Sequence, residues 1–212
     1  MNTKNILLLS SGRFLMSNAQ VFHKPFKDLR MAYVITAAKG VTNTDYIERT
    51  RNFFKEHGYN YEEIDLDGKN QTQLRETLQK FEIVFVEGGN SFYLLKSIRE
   101  SGFDIVIREL LQKGLIYMGA SAGSYVACPS IEMAIWKHQD KYKHYEVTDF
   151  SAMNLVPFLM TVHYKPEYDD ILKEKIAGAR LPVKILTDQQ ALLIKNDEIH
   201  LIGDGEKIDL HV

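Results

Sequence analysis

Five short apolar runs alternate with stretches of helical periodicity as far as residue 124, and this alternation restricts the fold more than any other feature of the chain. Asn5-Ile6-Leu7-Leu8-Leu9 and residues 31–38 are continuous apolar runs, the signature of strands buried on both faces. Residues 61–66, 82–86 and 115–118 supply three more strands. Between them the pattern predicts a weak helical segment over 19–30, interrupted by Pro25. Further helices are predicted from Asn43-Thr44-Asp45 to His57 with a stop at Gly58, over about 71–80, through Leu94, Leu95 and Ile98, and over about 104–113. The expected fold is α/β: a doubly wound, mostly parallel sheet with helices on both faces. Right-handed crossovers then bring every strand-to-helix loop to the carboxyl edge of the sheet, where such folds bind ligands. Ser11-Gly12, Gly88-Gly89 and Ser121 fall on that rim. The 212 residues contain no repeat, low-complexity tract or linker, so one domain over 1–212 is expected.

The fifth run ends in Gly119-Ala120-Ser121-Ala122-Gly123, which satisfies G-x-S-x-G. In that pattern a tight strand-to-helix turn lifts a serine hydroxyl out of the sheet edge. Small neighbours suit a cramped turn that a substrate must approach closely. The helix that follows aims its free N–H groups toward a developing oxyanion. Gly88-Gly89-Asn90 reads either as a second donor loop or as a plain glycine-rich turn before a helix.

Serine at neutral pH needs a positioned base, normally His, oriented by a third group. Of seven histidines, His163 alone closes an apolar strand (residues 158–162) at a strand-to-helix junction. His57 sits at a helix end, His23, His138 and His144 in polar sequence, His200 in a terminal hairpin, and His211 is penultimate. After the serine helix, residues 136–146 are charged and aromatic, and a solvated loop or exposed hairpin is expected there rather than a substrate-facing flap. A helix over about 167–177 and strands over 183–186, 191–195 and 198–202 complete the chain, with a hairpin turn at Asn196-Asp197.

A formal charge of −2 gives no basis for nucleic-acid or membrane-surface binding. The N-terminal apolar run is too short for a signal segment or membrane span. The single cysteine, Cys128, excludes a disulfide framework and suits a cytoplasmic protein. It is expected on the serine helix two turns beyond Ser121, as a buried packing thiol. No His/Cys/Asp cluster has metal-ligand spacing, so no metal or organic cofactor is expected.

Together these pieces resemble peptidase family S51, the dipeptidase E and cyanophycinase group, built on a class I glutamine-amidotransferase-like, flavodoxin-like three-layer fold. The resemblance rests on Val86-Glu87-Gly88-Gly89-Asn90-Ser91-Phe92 with Leu94-Leu95, on residues 117–124 with Val126-Ala127, on Leu155-Val156-Pro157-Phe158, and on His163-Tyr164, and it extends over nearly the whole chain. It implies Ser121 as nucleophile and His163 as base, with N–H groups of Ala122 and of Gly88 or Gly89 as the oxyanion hole. Asn90, Gly119 and Ser124 are assigned to substrate binding. The implied substrate is a small peptide and the implied assembly a monomer or homodimer. The family's third member is typically a Glu at the position of Gln189; here Asp188, one residue earlier, is the candidate acid. Two departures concern the substrate. Trp136 stands where the aspartyl dipeptidases carry Asp, and their Arg-bearing stretch after the histidine is here the acidic Glu167-Tyr168-Asp169-Asp170-Ile171. The resemblance therefore carries the reaction class and not a preference for N-terminal aspartate.

Two other readings use the same residues. An α/β-hydrolase esterase would order its triad Ser, acid, His and promote His200 or His211 with Asp188 or Asp170. A binding protein with a degenerate triad is the non-enzymatic reading, motivated by Gln189 and Trp136. Amidotransferase chemistry is weaker, because it uses Cys where this chain has Ser121.

Overall fold

A computed structural model of the chain describes residues 5–17, 25–137 and 143–210. Strands β1 (Asn5–Leu9), β2 (Arg30–Val34), β3 (Asn60–Ile64), β4 (Ile83–Val86), β5 (Ile116–Ala120), β8 (Gln190–Lys195) and β9 (Glu198–Gly203) form the central sheet. Their spatial order is β3-β2-β4-β5-β1-β8-β9. The first five pair in parallel, whereas β8 runs antiparallel to β1 and β9 to β8. The parallel part is a flavodoxin-like 2-1-3-4-5 order with the last place taken by the N-terminal strand. Two short strands, β6 (Leu159–Thr161) and β7 (Val183–Ile185), pair in parallel apart from this sheet.

The period of two along each strand divides the core into two layers. Ile6, Leu8, Val34, Val84 and Val86 face one side, packed with α3 (Gln71–Leu78), α4 (Ser91–Ser101) and α5 (Phe103–Gln112). Leu7, Leu9, Met31, Tyr33 and Phe85 face the other, packed with α1 (Arg13–Ser17) and α2 (Asp45–Glu56). The three-layer α/β architecture read from the alternation of strand and helix is the one the chain adopts. Local chemistry sets the helix ends. Asn70 and Gln73 form a capping box at the start of α3, and Gly58, at φ +68°, follows the end of α2.

Several boundaries differ from the sequence reading. The second strand stops at Val34, because Thr36 Oγ1 bonds Asp65 and the Leu66 N–H and turns residues 36–40 into a 3₁₀ segment. The loop after β1 runs directly into α1. Of the weak helix expected over 19–30, residues 18–24 lie outside the described residues, and Phe26–Asp28 is a single 3₁₀ turn before β2. The serine helix, α6 (Ala122–Tyr125), has only four residues, so Cys128 lies beyond it. That thiol is nevertheless fully buried, with Sγ 3.7 Å from the Ser124 carbonyl and a pKa pushed up by burial, which fits a packing role.

The described part of the charged stretch, expected as a solvated loop or exposed hairpin, is packed at several points, while Lys143 and Glu146 are exposed. Trp136 is buried, the Lys143 carbonyl accepts from Asn90 Nδ2 at 3.0 Å, and His144 stacks on Phe92 at 4.2 Å. Residues 138–142 of that stretch lie outside the described residues. Beyond it come a 3₁₀ turn at Pro166–Tyr168, α7 (Asp169–Ala177) and the terminal hairpin. Asn196 and Asp197 both take positive φ there, the geometry of a type I′ turn.

Backbone packs closely on backbone under α6. A Cβ on Gly123 would sit 2.1 Å from the Val86 carbonyl oxygen, and one on Gly119 would sit 2.5 Å from that of Gly123. Neither partner is a side chain that can swing away. Gly123→Ala is therefore expected to cost about 3 kcal/mol or more and to lower Tm by roughly 6–12 °C. Thermal melts of the full chain test this; a variant melting with the wild type would show that α6 can shift.

Candidate active site

Three strand ends at the carboxyl edge meet around Ser121. β5 ends at Ala120, and Ser121 takes φ +50° and ψ −108°, a conformation that L residues rarely hold. Its N–H donates to the Leu9 carbonyl at 3.1 Å, tying the turn to β1. Ser124 Oγ lies 2.8 Å from the Leu9 carbonyl and 2.7 Å from that of Gly119, so the same two strands hold the start of α6.

His163 follows β6, also with positive φ. Its Nε2 stands 3.0 Å from Ser121 Oγ, and its Nδ1 stands 2.5 Å from Asp188 Oδ1. Asp188 lies in the connection between β7 and β8. The hydrogen bond from His163 holds its carboxyl below the usual carboxylate range against a desolvation cost, and the Arg13 charge adds to the lowering. Gln189, the position of the family's usual acid, is exposed.

Ser10, not singled out from the sequence, joins these elements. The fully buried Oγ of this residue, at the end of β1, accepts the His163 N–H at 2.8 Å and stands 3.2 Å from Asp188 Oδ1. The hydroxyl thus braces both the imidazole backbone and the acid. The only signal in the sequence was a small polar residue closing a buried strand.

A second residue missed from the sequence is Glu87, at the end of β4. It is buried, with Oε1 accepting the Gly88 N–H at 2.8 Å and Oε2 accepting from Tyr33 Oη at 2.7 Å and Thr50 Oγ1 at 3.3 Å. Tyr46 Oη donates to the Gly88 carbonyl at 3.0 Å. Burial nonetheless raises the Glu87 pKa above the ordinary carboxylate value. The Gly88 N–H is already taken by this carboxylate. Gly89 has φ +143°, and a Cβ there would meet the Ala37 carbonyl oxygen at 2.3 Å. The glycine is required by the fold.

The three residues assigned to substrate binding do not line the cleft. Asn90 is buried and caps α4, its Oδ1 accepting the N–H groups of Phe92 and Tyr93 at 2.9 Å. Gly119 lies within β5 against Gly123, and the Ser124 hydroxyl is committed to main-chain carbonyls. In this structure Asn90 caps a helix, Gly119 leaves room for Gly123, and the Ser124 hydroxyl meets buried carbonyl oxygens.

Two cavities meet at Ser121 and His163. The larger, about 340 Å³, is lined by Arg13, Arg49, Tyr46, Glu87 and Asp188 among others. The smaller, about 150 Å³, is lined by Phe92, Tyr125, Tyr168 and Lys137. Other histidines are elsewhere: His57 Nδ1 pairs with the Phe53 carbonyl, and His200 Nε2 lies 3.4 Å from Glu198 on β9. His23, His138 and His211 fall outside the described residues. The esterase arrangement through His200 is therefore not the one formed. Among the described residues no group of His, Cys, Asp and Glu is arranged to hold a metal, and no helix is long and apolar enough to cross a membrane.

Comparison with known proteins gives one family match, to the model of peptidase family S51, over residues 6–202. The chain is 28% identical over 198 residues to an uncharacterized peptidase of Pasteurella multocida (strain Pm70), covering 92% of this chain and 95% of that one. It is 32% identical over 220 residues to a "Probable alpha-aspartyl dipeptidase" of Drosophila melanogaster, covering 96% and 88%. A crystal structure of a peptidase E candidate from Listeria monocytogenes EGD-e superposes with a TM-score of 0.81 at 24% identity, covering 96% of this chain and all of that one. At that identity the likeness speaks for the fold.

Glu87 generates a pH prediction. Its pKa is raised in the folded chain, so the folded state holds that proton more tightly than the unfolded chain does. The associated stability is complete below about pH 4.3, the unfolded carboxylate value, and is lost as pH rises through the raised folded value. Glu87→Gln removes the titration. The Tm of that variant minus the Tm of the wild type should move in the variant's favour between about pH 4 and pH 8. A difference that stays constant with pH would contradict the assignment.

Proposed function

We propose that this chain, which belongs to peptidase family S51, is a serine peptidase that hydrolyses small peptides, dipeptides foremost, through Ser121, His163 and Asp188. The observation that supports this most directly is the continuous hydrogen-bonded line Asp188 Oδ1, His163 Nδ1, His163 Nε2, Ser121 Oγ, with steps of 2.5 and 3.0 Å. In this reading His163 Nε2 takes the hydroxyl proton as Ser121 Oγ attacks the peptide carbonyl. Asp188 orients the ring and stabilises the imidazolium; its lowered pKa keeps it anionic at neutral pH. The N–H groups of Gly89 and Ala122 receive the oxyanion, and the strained turn at Ser121 serves as the nucleophile elbow that presents Oγ to both. The imidazolium returns its proton to the leaving amine, and water then hydrolyses the acyl-enzyme with His163 again as base.

The preference for short substrates is supported by the cavities flanking Ser121, the smaller of which has the volume of about one side chain, and by the dipeptidase name carried by a relative. Ser10 acts in this scheme as a positioning residue, because it touches His163 and Asp188 and not the reacting atoms.

Hydrolysis of a dipeptide library should be abolished in Ser121→Ala. His163→Ala should lower kcat by about 10⁶-fold and Asp188→Asn by about 10⁴-fold, and Ser121→Ala combined with His163→Ala should lose no more than the worse single variant. A fluorophosphonate should label the wild type and not Ser121→Ala. Neither labelling nor hydrolysis by the wild type would leave the binding-protein reading in its place.

A further inference from the structure

We propose that Lys137 is a specificity-determining residue that binds a substrate carboxylate in the smaller cavity beside Ser121. The inference deepens the peptidase reading and rests on it.

Lys137 lines the cavity that Ser121 and His163 also wall. Its Nζ donates to the Val162 carbonyl and stands 5.3 Å from the centre of the Tyr168 ring. Among the described residues no carboxylate lies within ion-pair distance of it, whereas several other cations of the chain are matched. Lys39 pairs with Asp65 and Asp67, and Arg51 with Glu48 and Glu63. An ammonium carries three donors, and one carbonyl engages one of them. Removing a cation from water without an anion is costly, so an unmatched ammonium among Phe92, Tyr125 and Tyr168 gains most from an anion that arrives with the substrate.

The surroundings favour that role. Burial pulls the lysine down to about 8, with the more distant Asp188 charge partly opposing, so the group is still a cation at neutral pH. Aromatic walls lower the local dielectric and strengthen an ion pair made there. Trp136, buried next to it in sequence, anchors the backbone from which the side chain extends. Arg13 and Arg49 line the larger cavity but are exposed, so their fields are screened by solvent.

Two substrate carboxylates could reach a cavity beside the scissile bond: an acidic side chain on the N-terminal residue, or the C-terminal carboxylate of a dipeptide. Two matched pairs distinguish them. Aspartyl and asparaginyl p-nitroanilides differ only in the side-chain charge, and Ala-Ala and Ala-Ala-amide differ only in the terminal charge. Lys137→Met in the full chain should lower kcat/KM by about 10- to 100-fold on the charged member of one pair and by less than about threefold on its neutral partner. Lys137→Arg should retain most of the discrimination. The pair that responds identifies the source. Equal losses on both members of each pair, or no loss on any, would overturn the proposal while leaving the peptidase reading intact. Fluorophosphonate labelling of Ser121 reports whether each variant keeps its catalytic geometry. Loss of labelling and of folding in both Lys137→Met and Lys137→Gln would make the residue structural and overturn the proposal. A wild type that cleaves none of the four substrates would overturn the peptidase reading and the proposal together.

Discussion

The close approach of α6 to the sheet is the constraint on which the rest of the site depends. The Gly123 Cα lies where a side chain would strike the Val86 carbonyl, the Ser121 N–H is bound to Leu9, and the Ser124 hydroxyl bridges Leu9 and Gly119. The turn between β5 and α6 is thus clamped from β4 on one side and β1 on the other. That clamp supplies the energy needed to hold Ser121 at φ +50°, a cost of order 1–3 kcal/mol for a non-glycine residue. The glycines of the G-x-S-x-G pattern serve backbone packing first. The room they give a substrate follows from it.

The same economy governs the rim around Ser121. Ser10 ends β1 and holds both His163 and Asp188, which come from connections more than 150 residues further along the chain. Glu87 ends β4 and, with Tyr33, Thr50 and Tyr46, fixes the Gly88-Gly89 loop. Each is a buried polar group satisfied by partners from other elements, and each holds a loop that would otherwise be free to move. Glu87 is the costly member, since burial raises its pKa despite three hydrogen bonds. Lys137 stands apart because its partners are a carbonyl and a ring rather than a counter-ion.

Much of this was legible in the chain. Continuous apolar runs and helix-capping residues gave the strands, the helices and the parallel sheet, because burial on two faces leaves a continuous apolar signature. Ser121 and His163 stood out by position, since a strand-to-helix junction in such a fold has one place to be. Asp188 was reachable only by assuming a one-residue shift from Gln189. Ser10 and Glu87 were invisible as site residues because their partners lie far away in sequence. The local roles of Asn90, Gly119 and Ser124 were hidden for a related reason. A motif residue beside a nucleophile serves either the substrate or the turn, and the sequence records the residue type and not the direction its polar atoms take.

By itself, then, the sequence determined the layer architecture, the rim on which the site lies and the serine and histidine that meet there, all of which follow from local periodicity and strand-end position. Tertiary structure alone decided which acid faces His163, that Glu87 takes the Gly88 N–H, and that Lys137 has no carboxylate partner among the described residues. Those outcomes depend on hydrogen bonds and desolvation between residues brought together from distant parts of the chain, and no local pattern encodes them.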